Sequence, residues 1–179
     1  MKTQLFISLL LMGFFTLVYA TDDMNEENRI KRAMSAAPDF ISSKAMVMEL
    51  DGTVLKKGTN NYVCFPEEFD DPNPMCVDEP WLELFEAASK GVAPPERTKM
   101  GIGYWLQGRI PGSNEDPTAT GDKAKGHVMT DGAPHIGVLV VNPKELMGLP
   151  TTPHDSVPWV MYSGTPYAHI MIPALRVPQ

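Results

Sequence analysis

Four histidines and two cysteines hold most of the chemical potential of this 179-residue chain. Imidazoles ligate metals and move protons near neutral pH, and thiolates ligate metals or act as nucleophiles. His127, His135, His154 and His169 include no pair at the three- or four-residue separation that sets two imidazoles on one helical face. His135 opens the apolar run 136–141 at the end of a long loop, and His169 falls within the run 167–173. There Tyr167, His169 and Met171 share one strand face, and Ala168, Ile170 and Ile172 share the other. An imidazole so placed is partly buried and needs a partner, because an unpaired buried polar group costs on the order of 1–3 kcal/mol. The ordinary outcome is a structural histidine bonded to a backbone carbonyl or a tyrosine. The sharper outcome is a metal-binding protein or metal-assisted enzyme built on His135 and His169, with Asp131 or Met171 as additional ligands.

Other chemistries have weaker support. Met46-Val47-Met48 and His169-Ile170-Met171 each alternate soft ligands on one strand face, as Cu(I) would require, but methionine ordinarily fills irregular core space. The acids between Glu67 and Glu79 lack the spaced Asp-x-Asp-x-Asp-Gly rhythm of a calcium loop and read as a hydrated segment. No Gly-x-Ser-x-Gly, His-Glu-x-x-His or phosphate-cradling glycine loop is present, and no cofactor motif replaces them. Ser113 and Ser163 stand in turn-like contexts, where serine bonds its own backbone. The balance leans away from an enzyme and toward a binding face. Its candidate residues are Gly101, Gly103 and Trp105, with Trp159, His135 and His169 and the loop 108–134 nearby. Strand glycines leave room for a close approach, and aromatic rings offer stacking area.

Location follows from the first twenty residues. Lys2 precedes an apolar run from Leu5 to Val18, and Val18-Tyr19-Ala20 supplies small residues for cleavage. This is the pattern of a secretory signal peptide over 1–20, with a single domain over 21–179, and the run is shorter than the ~20 residues of a membrane span. Loss of Lys2 leaves 14 Lys and Arg against 22 Asp and Glu, a formal charge of −8. Such a surface disfavours nucleic acid and anionic lipid, so the expected partner is a small molecule or an envelope protein. In an exported chain Cys64 and Cys76 are most simply a disulfide, which also argues against a cysteine nucleophile. A periplasmic or secreted location is expected.

The elements that must position these residues are short. Asp23 and Glu26 have capping-box spacing before a helix over 24–36 that Pro38 ends. Asp51-Gly52 joins strands 45–50 and 53–57 as a tight hairpin, and 62–65 adds a third strand. The acidic, proline-rich stretch 66–80 reads as an irregular loop before a helix with Trp81, Leu84, Phe85 and Ala88 on its buried stripe and Gly91 as terminator. Residues 99–107 alternate as a strand with one glycine-floored face. The run 136–141 reads as a strand buried on both faces, Asn142-Pro143 opens a helical turn, and 158–162 and 167–173 close a final pair of strands. Hairpins followed by helices, without regular βαβ alternation, predict an α+β domain. It has a mainly antiparallel sheet of five to seven short strands, two amphipathic helices and one long polar loop.

The phrase Pro158-Trp159-Val160-Met161-Tyr162-Ser163-Gly164-Thr165-Pro166-Tyr167-Ala168-His169-Ile170-Met171-Ile172-Pro173 resembles a group of uncharacterised bacterial exported proteins. Asp51-Gly52, Pro74-Met75-Cys76 and Ala133-Pro134-His135-Ile136 are similar to that group as well. The resemblance implies a cell-envelope or secreted location and transfers no functional residue. The expected function is therefore a non-enzymatic binding or interaction protein of the envelope. The alternatives are the His135–His169 metal site and a structural or assembly component.

Overall fold

Asn25 begins the first described element: its side chain accepts a hydrogen bond from the Asn28 N–H at 2.9 Å and caps helix α1 (Glu26–Met34). The computed structural model describes residues 25–68, 71–117, 119 and 126–175. The expected leader, and Asp23 of the expected capping box, lie outside the described residues. Acids in the first turn of α1 and Lys31 and Arg32 in the last complement the helix dipole. Pro38 then starts a second, single-turn helix, α2 (Asp39–Ser42), which periodicity did not reveal.

Among the described residues eight strands form one sheet in the order β2-β1-β3-β4-β5-β6-β8-β7. They are β1 (Met46–Met48), β2 (Val54–Lys56), β3 (Tyr62–Phe65), β4 (Met75–Asp78), β5 (Gly101–Trp105), β6 (His135–Leu139), β7 (Trp159–Met161) and β8 (His169–Pro173). Neighbours are antiparallel except β1 and β3, which run parallel. The mixed, mostly antiparallel α+β architecture matches the sequence reading, but the strand and helix counts exceed it by one each. The β1–β2 connection is also looser than a two-residue hairpin. Only Gly52 takes positive φ, Glu49 N–H bonds the Thr53 carbonyl at 2.8 Å, and the register slips between Val47 and Met48.

The additional strand is β4, in the segment expected to be hydrated loop. All four of its residues are buried between β3 and β5. Four residues bounded by prolines and acids show too little period to be read as a strand. Here tertiary contacts override composition: Arg32 of α1 donates to the Pro66 carbonyl at 3.0 Å and to the Pro72 carbonyl, drawing both ends of the segment against the helix. Asp78, at the N-terminus of helix α3 (Glu79–Ser89), accepts the Ile102 N–H of β5 at 2.7 Å.

Alternation along the strands sorts the core into two layers. Cys64, Cys76 and Tyr104 face α1 and pack with Ala33, Ala36, Ala37 and Val47. Val77, Met75 and Trp105 face α3 and pack with Trp81 and Leu84. Within α3 the buried positions are Pro80, Trp81, Leu84 and Ala87, while Ala88 is exposed. Gly91 (φ +64°) ends the helix as expected, with Val92 N–H reaching the Ala87 carbonyl at 3.0 Å. Strand β6 is buried on one face only. His135, Gly137 and Leu139 are enclosed, whereas Ile136 and Val138 remain half-exposed on the opposite face.

Cys64 and Cys76 are directly opposite each other on β3 and β4 and are joined by a disulfide, both fully buried beneath α1. The bridge closes the acidic segment at the sheet. Replacing both cysteines by alanine is expected to lower stability by about 3 kcal/mol in urea unfolding. A loss below about 1 kcal/mol would mean that the flanking packing alone fixes β4.

Candidate functional site

The site begins with two small residues. Gly103 of β5 and Gly137 of β6 are direct cross-strand partners on the face beneath α3. A Cβ on Gly137 would stand 2.6 Å from Trp81 Cζ2, and one on Gly103 would stand 2.6 Å from Trp105 Cζ3 and 3.1 Å from Trp81 Nε1. The glycine floor is therefore occupied by the protein's own indoles. Gly101 likewise gives its space to Pro80, Asp78 and Leu139. Trp81 Nε1 is enclosed and has no hydrogen-bond partner among the described residues. Leaving an indole N–H unpaired costs on the order of 1–3 kcal/mol, which the ring packing around it must offset.

Once seated, Trp81 joins a continuous set of ring contacts. His169 lies 5.0 Å from Trp81, Trp81 is edge-on to Trp105 at 5.1 Å, and Trp105 stacks on His135 at 5.2 Å with 15° between planes. Phe85 leans on Trp81 at 5.5 Å and Tyr162 meets His169 at 5.5 Å. These rings, with Leu84, Tyr167, Met161 and Met171, bound a cavity of about 500 Å³. This is ordinary size for a small-molecule site, and its walls are mostly aromatic and aliphatic.

Both cavity histidines have one defined tautomer. Nδ1 of His135 lies 2.7 Å from the Ala133 carbonyl and Nδ1 of His169 lies 2.9 Å from the Tyr167 carbonyl. A carbonyl only accepts, so each Nδ1 carries the proton and each neutral ring keeps a lone pair on Nε2. Burial lowers both pKa values from 6.5 to about 4, the backbone bonds oppose this only in part, and the Arg109 charge adds to the lowering.

One end of the cavity is ionic. Arg109 Nη2 lies 3.5 Å from Glu68 and its Nε 3.8 Å from Asp71, and all three side chains are largely buried. Glu68 also accepts the Trp105 indole N–H at 3.2 Å. Asp71 accepts the Ile110 N–H at 2.5 Å and both the backbone and side-chain N–H groups of Asn73. Burial pushes the Glu68 carboxyl above its usual range despite the nearby guanidinium. Burial opposes the Arg109 cation as well, but Glu68 leads the charges that outweigh it, and Arg109 stays protonated.

Tyr162 is the one non-glycine described residue with positive φ, at 55°. Such a backbone costs about 1–2 kcal/mol. It is held there by its N–H on the Asn114 carbonyl at 2.9 Å and by Thr165, whose N–H and hydroxyl both donate to the Tyr162 carbonyl. The strained residue is the one that turns its ring from the end of β7 toward His169. Nearby, the Tyr167 hydroxyl donates to the Val92 carbonyl and Arg97 donates to the Val140 and Pro166 carbonyls, tying the segment after α3 to the end of β6 and to the β7–β8 corner.

Of the six residues singled out in the sequence, Trp105, His135 and His169 line the cavity. Gly103 lies beneath the Trp81 and Trp105 indoles, whereas Gly101 packs against Pro80, Asp78 and Leu139, none of which lines the cavity. Trp159 is elsewhere: its indole donates to Asn114 Oδ1 at 2.9 Å and borders a shallow groove with Leu149, Pro150 and Ile170. Trp81 was legible as a core residue but not as a cavity wall. Arg109, Glu68, Asp71 and Tyr162 carried no periodic signal, because loops deliver the first three and a turn delivers the last.

The ligands imagined for a metal do not converge. His135 stands opposite Pro173, four residues from His169 along β8, or roughly 13 Å of strand, and the two indoles connect the imidazoles. Asp131 accepts the Ala133 N–H in its own turn. Met46 and Met48 on β1 are five strand spacings from β8, roughly 24 Å. Among the described residues no three His, Cys, Asp or Glu side chains group to hold a metal ion. Ser113, His127 and Glu115 approach one another, but serine and glutamate both address Nδ1 of the imidazole, at 2.9 and 4.0 Å. The Ser113 oxygen also accepts the Glu115 and Asp116 N–H groups, so it is a turn serine.

Two outcomes test this geometry. Gly137→Ala is expected to destabilise by about 1–3 kcal/mol and to change the near-ultraviolet circular dichroism of the indoles, since the ring contacts cannot absorb a methyl group. Acid should act through the histidines. Their unfolded pKa is 6.5 and their native value about 4, so below pH 6.5 the unfolded chain binds more protons and stability falls. From pH 7 to 5 the loss is expected to be on the order of 2–4 kcal/mol, with Glu68 opposing it because its raised carboxyl gains from protonation. The charges of Asp71, Asp131, Arg97 and Arg109 also act on these rings. A His135→Gln, His169→Gln double variant should flatten the slope, and an unchanged slope would refute the assignment.

In comparison with known proteins, no family model, no curated protein and no solved structure matches the chain.

Proposed function

We propose that the protein is a non-enzymatic binding protein of the cell envelope or the secreted space, and that the ring-lined cavity beneath α3 holds a small, mainly apolar ligand. The observation that carries this reading is the cavity itself. About 500 Å³ of ring-walled space stands open beside the packed cluster of Trp81, Leu84 and Trp105, whereas the opposite face of the sheet is closed against α1. Strained Tyr162 and buried Arg109 both border it, each at a cost in stability.

Binding is favoured over catalysis by the state of the polar groups. Imidazoles titrating near pH 4 are weak bases at neutral pH and are not acids there, whereas a general acid or base works best near the operating pH. The cavity carboxylates are held by Arg109 and by backbone N–H groups. The Ser89 hydroxyl at the rim donates to the Glu86 carbonyl. Export would place the Cys64–Cys76 bridge in an oxidising compartment, where it persists.

The neutral, apolar fluorophore N-phenyl-1-naphthylamine provides the test. It is expected to bind saturably at one site per chain with blue-shifted emission. Ala88→Trp, at an exposed helical position on the cavity rim, should weaken it at least about tenfold while leaving the thermal midpoint in place. Absence of saturable binding, or binding indifferent to Ala88→Trp, would overturn the reading.

A further inference from the structure

Resting on the reading of the cavity as a ligand site, we infer that it selects a flat, uncharged aromatic compound bearing a hydrogen-bond donor, a phenol-type hydroxyl, over an isosteric hydrocarbon, ether or anion. Three independent features of the walls lead there. The first is hydrogen-bond polarity. His135 and His169 each commit Nδ1–H to a backbone carbonyl, and neither Nε2 has a hydrogen-bond partner among the described residues. A neutral imidazole in this tautomer offers an acceptor and no donor. A ligand entering without a donor would strip water from these nitrogens and return nothing, which is how polar sites reject analogues lacking a hydroxyl.

The second feature is shape. The His169, Trp81, Trp105 and His135 rings follow one another at 5.0–5.2 Å between centroids, the first two contacts edge-on and the last stacked. Such walls present π faces and ring edges, which complement a planar ring system better than a branched aliphatic one.

The third feature is charge. The ionic end contains two carboxylates for one guanidinium, and Arg109 already faces both. An anionic ligand would meet an excess of negative charge in a poorly hydrated space. A cation would compete with Arg109 for acids whose oxygens accept Trp105, Ile110 and Asn73 N–H groups. Neutral ligands avoid both costs.

Isothermal titration at pH 7.5 with 1-naphthol, 1-methoxynaphthalene, 1-methylnaphthalene and naphthalene-1-sulfonate tests the inference. The expected order places 1-naphthol about 5- to 10-fold tighter than the ether or the hydrocarbon, the effect of one buried hydrogen bond, with the sulfonate weakest. His169→Phe and His135→Phe should reduce that preference while retaining affinity for 1-methylnaphthalene, which also verifies that the variants fold. His169→Gln, which keeps an acceptor but adds an amide donor, should retain the preference over the hydrocarbon. Equal binding of naphthol, ether and hydrocarbon, or a preference for the sulfonate, would overturn the inference and leave the cavity a ligand site. A preference for naphthol that survives both phenylalanine variants would likewise overturn the assignment to the histidines. Failure of all four compounds to bind would overturn the inference and, if N-phenyl-1-naphthylamine also fails, the binding reading with it.

Discussion

The seat of Trp81 on the Gly103–Gly137 pair is the contact on which the remaining architecture depends. An indole can approach a sheet this closely only where two neighbouring strands carry no Cβ. That approach sets the distance between α3 and the sheet and brings Trp105, His135 and His169 into one set of ring contacts. A hydrogen-bond donor is left unpaired in the process. Close packing of rings is thus favoured over satisfaction of one N–H, which is the reverse of the usual order in protein interiors.

A second constraint holds the other side of the sheet. The Cys64–Cys76 bridge joins facing residues of β3 and β4, and Arg32 secures both ends of the intervening segment. Because that segment is drawn in, Glu68 and Asp71 lie inside the domain, where Arg109 balances them at the end of the cavity. Pairing buried charges in this way seldom adds net stability, yet removal of one partner is strongly destabilising. The network therefore fixes geometry more than it contributes free energy. It positions Trp105 through the bond from its indole N–H to Glu68.

The cavity's polar character follows from these two constraints. Imidazoles enclosed by rings lose their charge, and backbone carbonyls choose which nitrogen keeps the proton. Tyr162 closes the arrangement from a backbone conformation that glycine would adopt more readily.

Much of the scaffold was legible because it arises from local physics. Periodicity disclosed α3 and the alternation of β5, Gly91 marked a helix end, and cysteine usage pointed to the disulfide. The buried, backbone-bonded state of His169 also follows from its place in an apolar strand. What stayed hidden was decided by contacts between distant segments. β4 is too short to show a period between its flanking prolines and acids, and its burial comes from β3, β5 and α1. The two strand glycines announced a close approach without naming the visitor, and Trp159 carries the same residue type as Trp105 but bonds Asn114 outside the cavity. Sequence alone thus determined which residues could form strands, helices and a covalent link, because those choices depend on neighbours a few positions away. Tertiary structure decided which rings meet, which charges are buried and which nitrogens remain unpaired, because each of those depends on side chains separated by tens of residues in the chain.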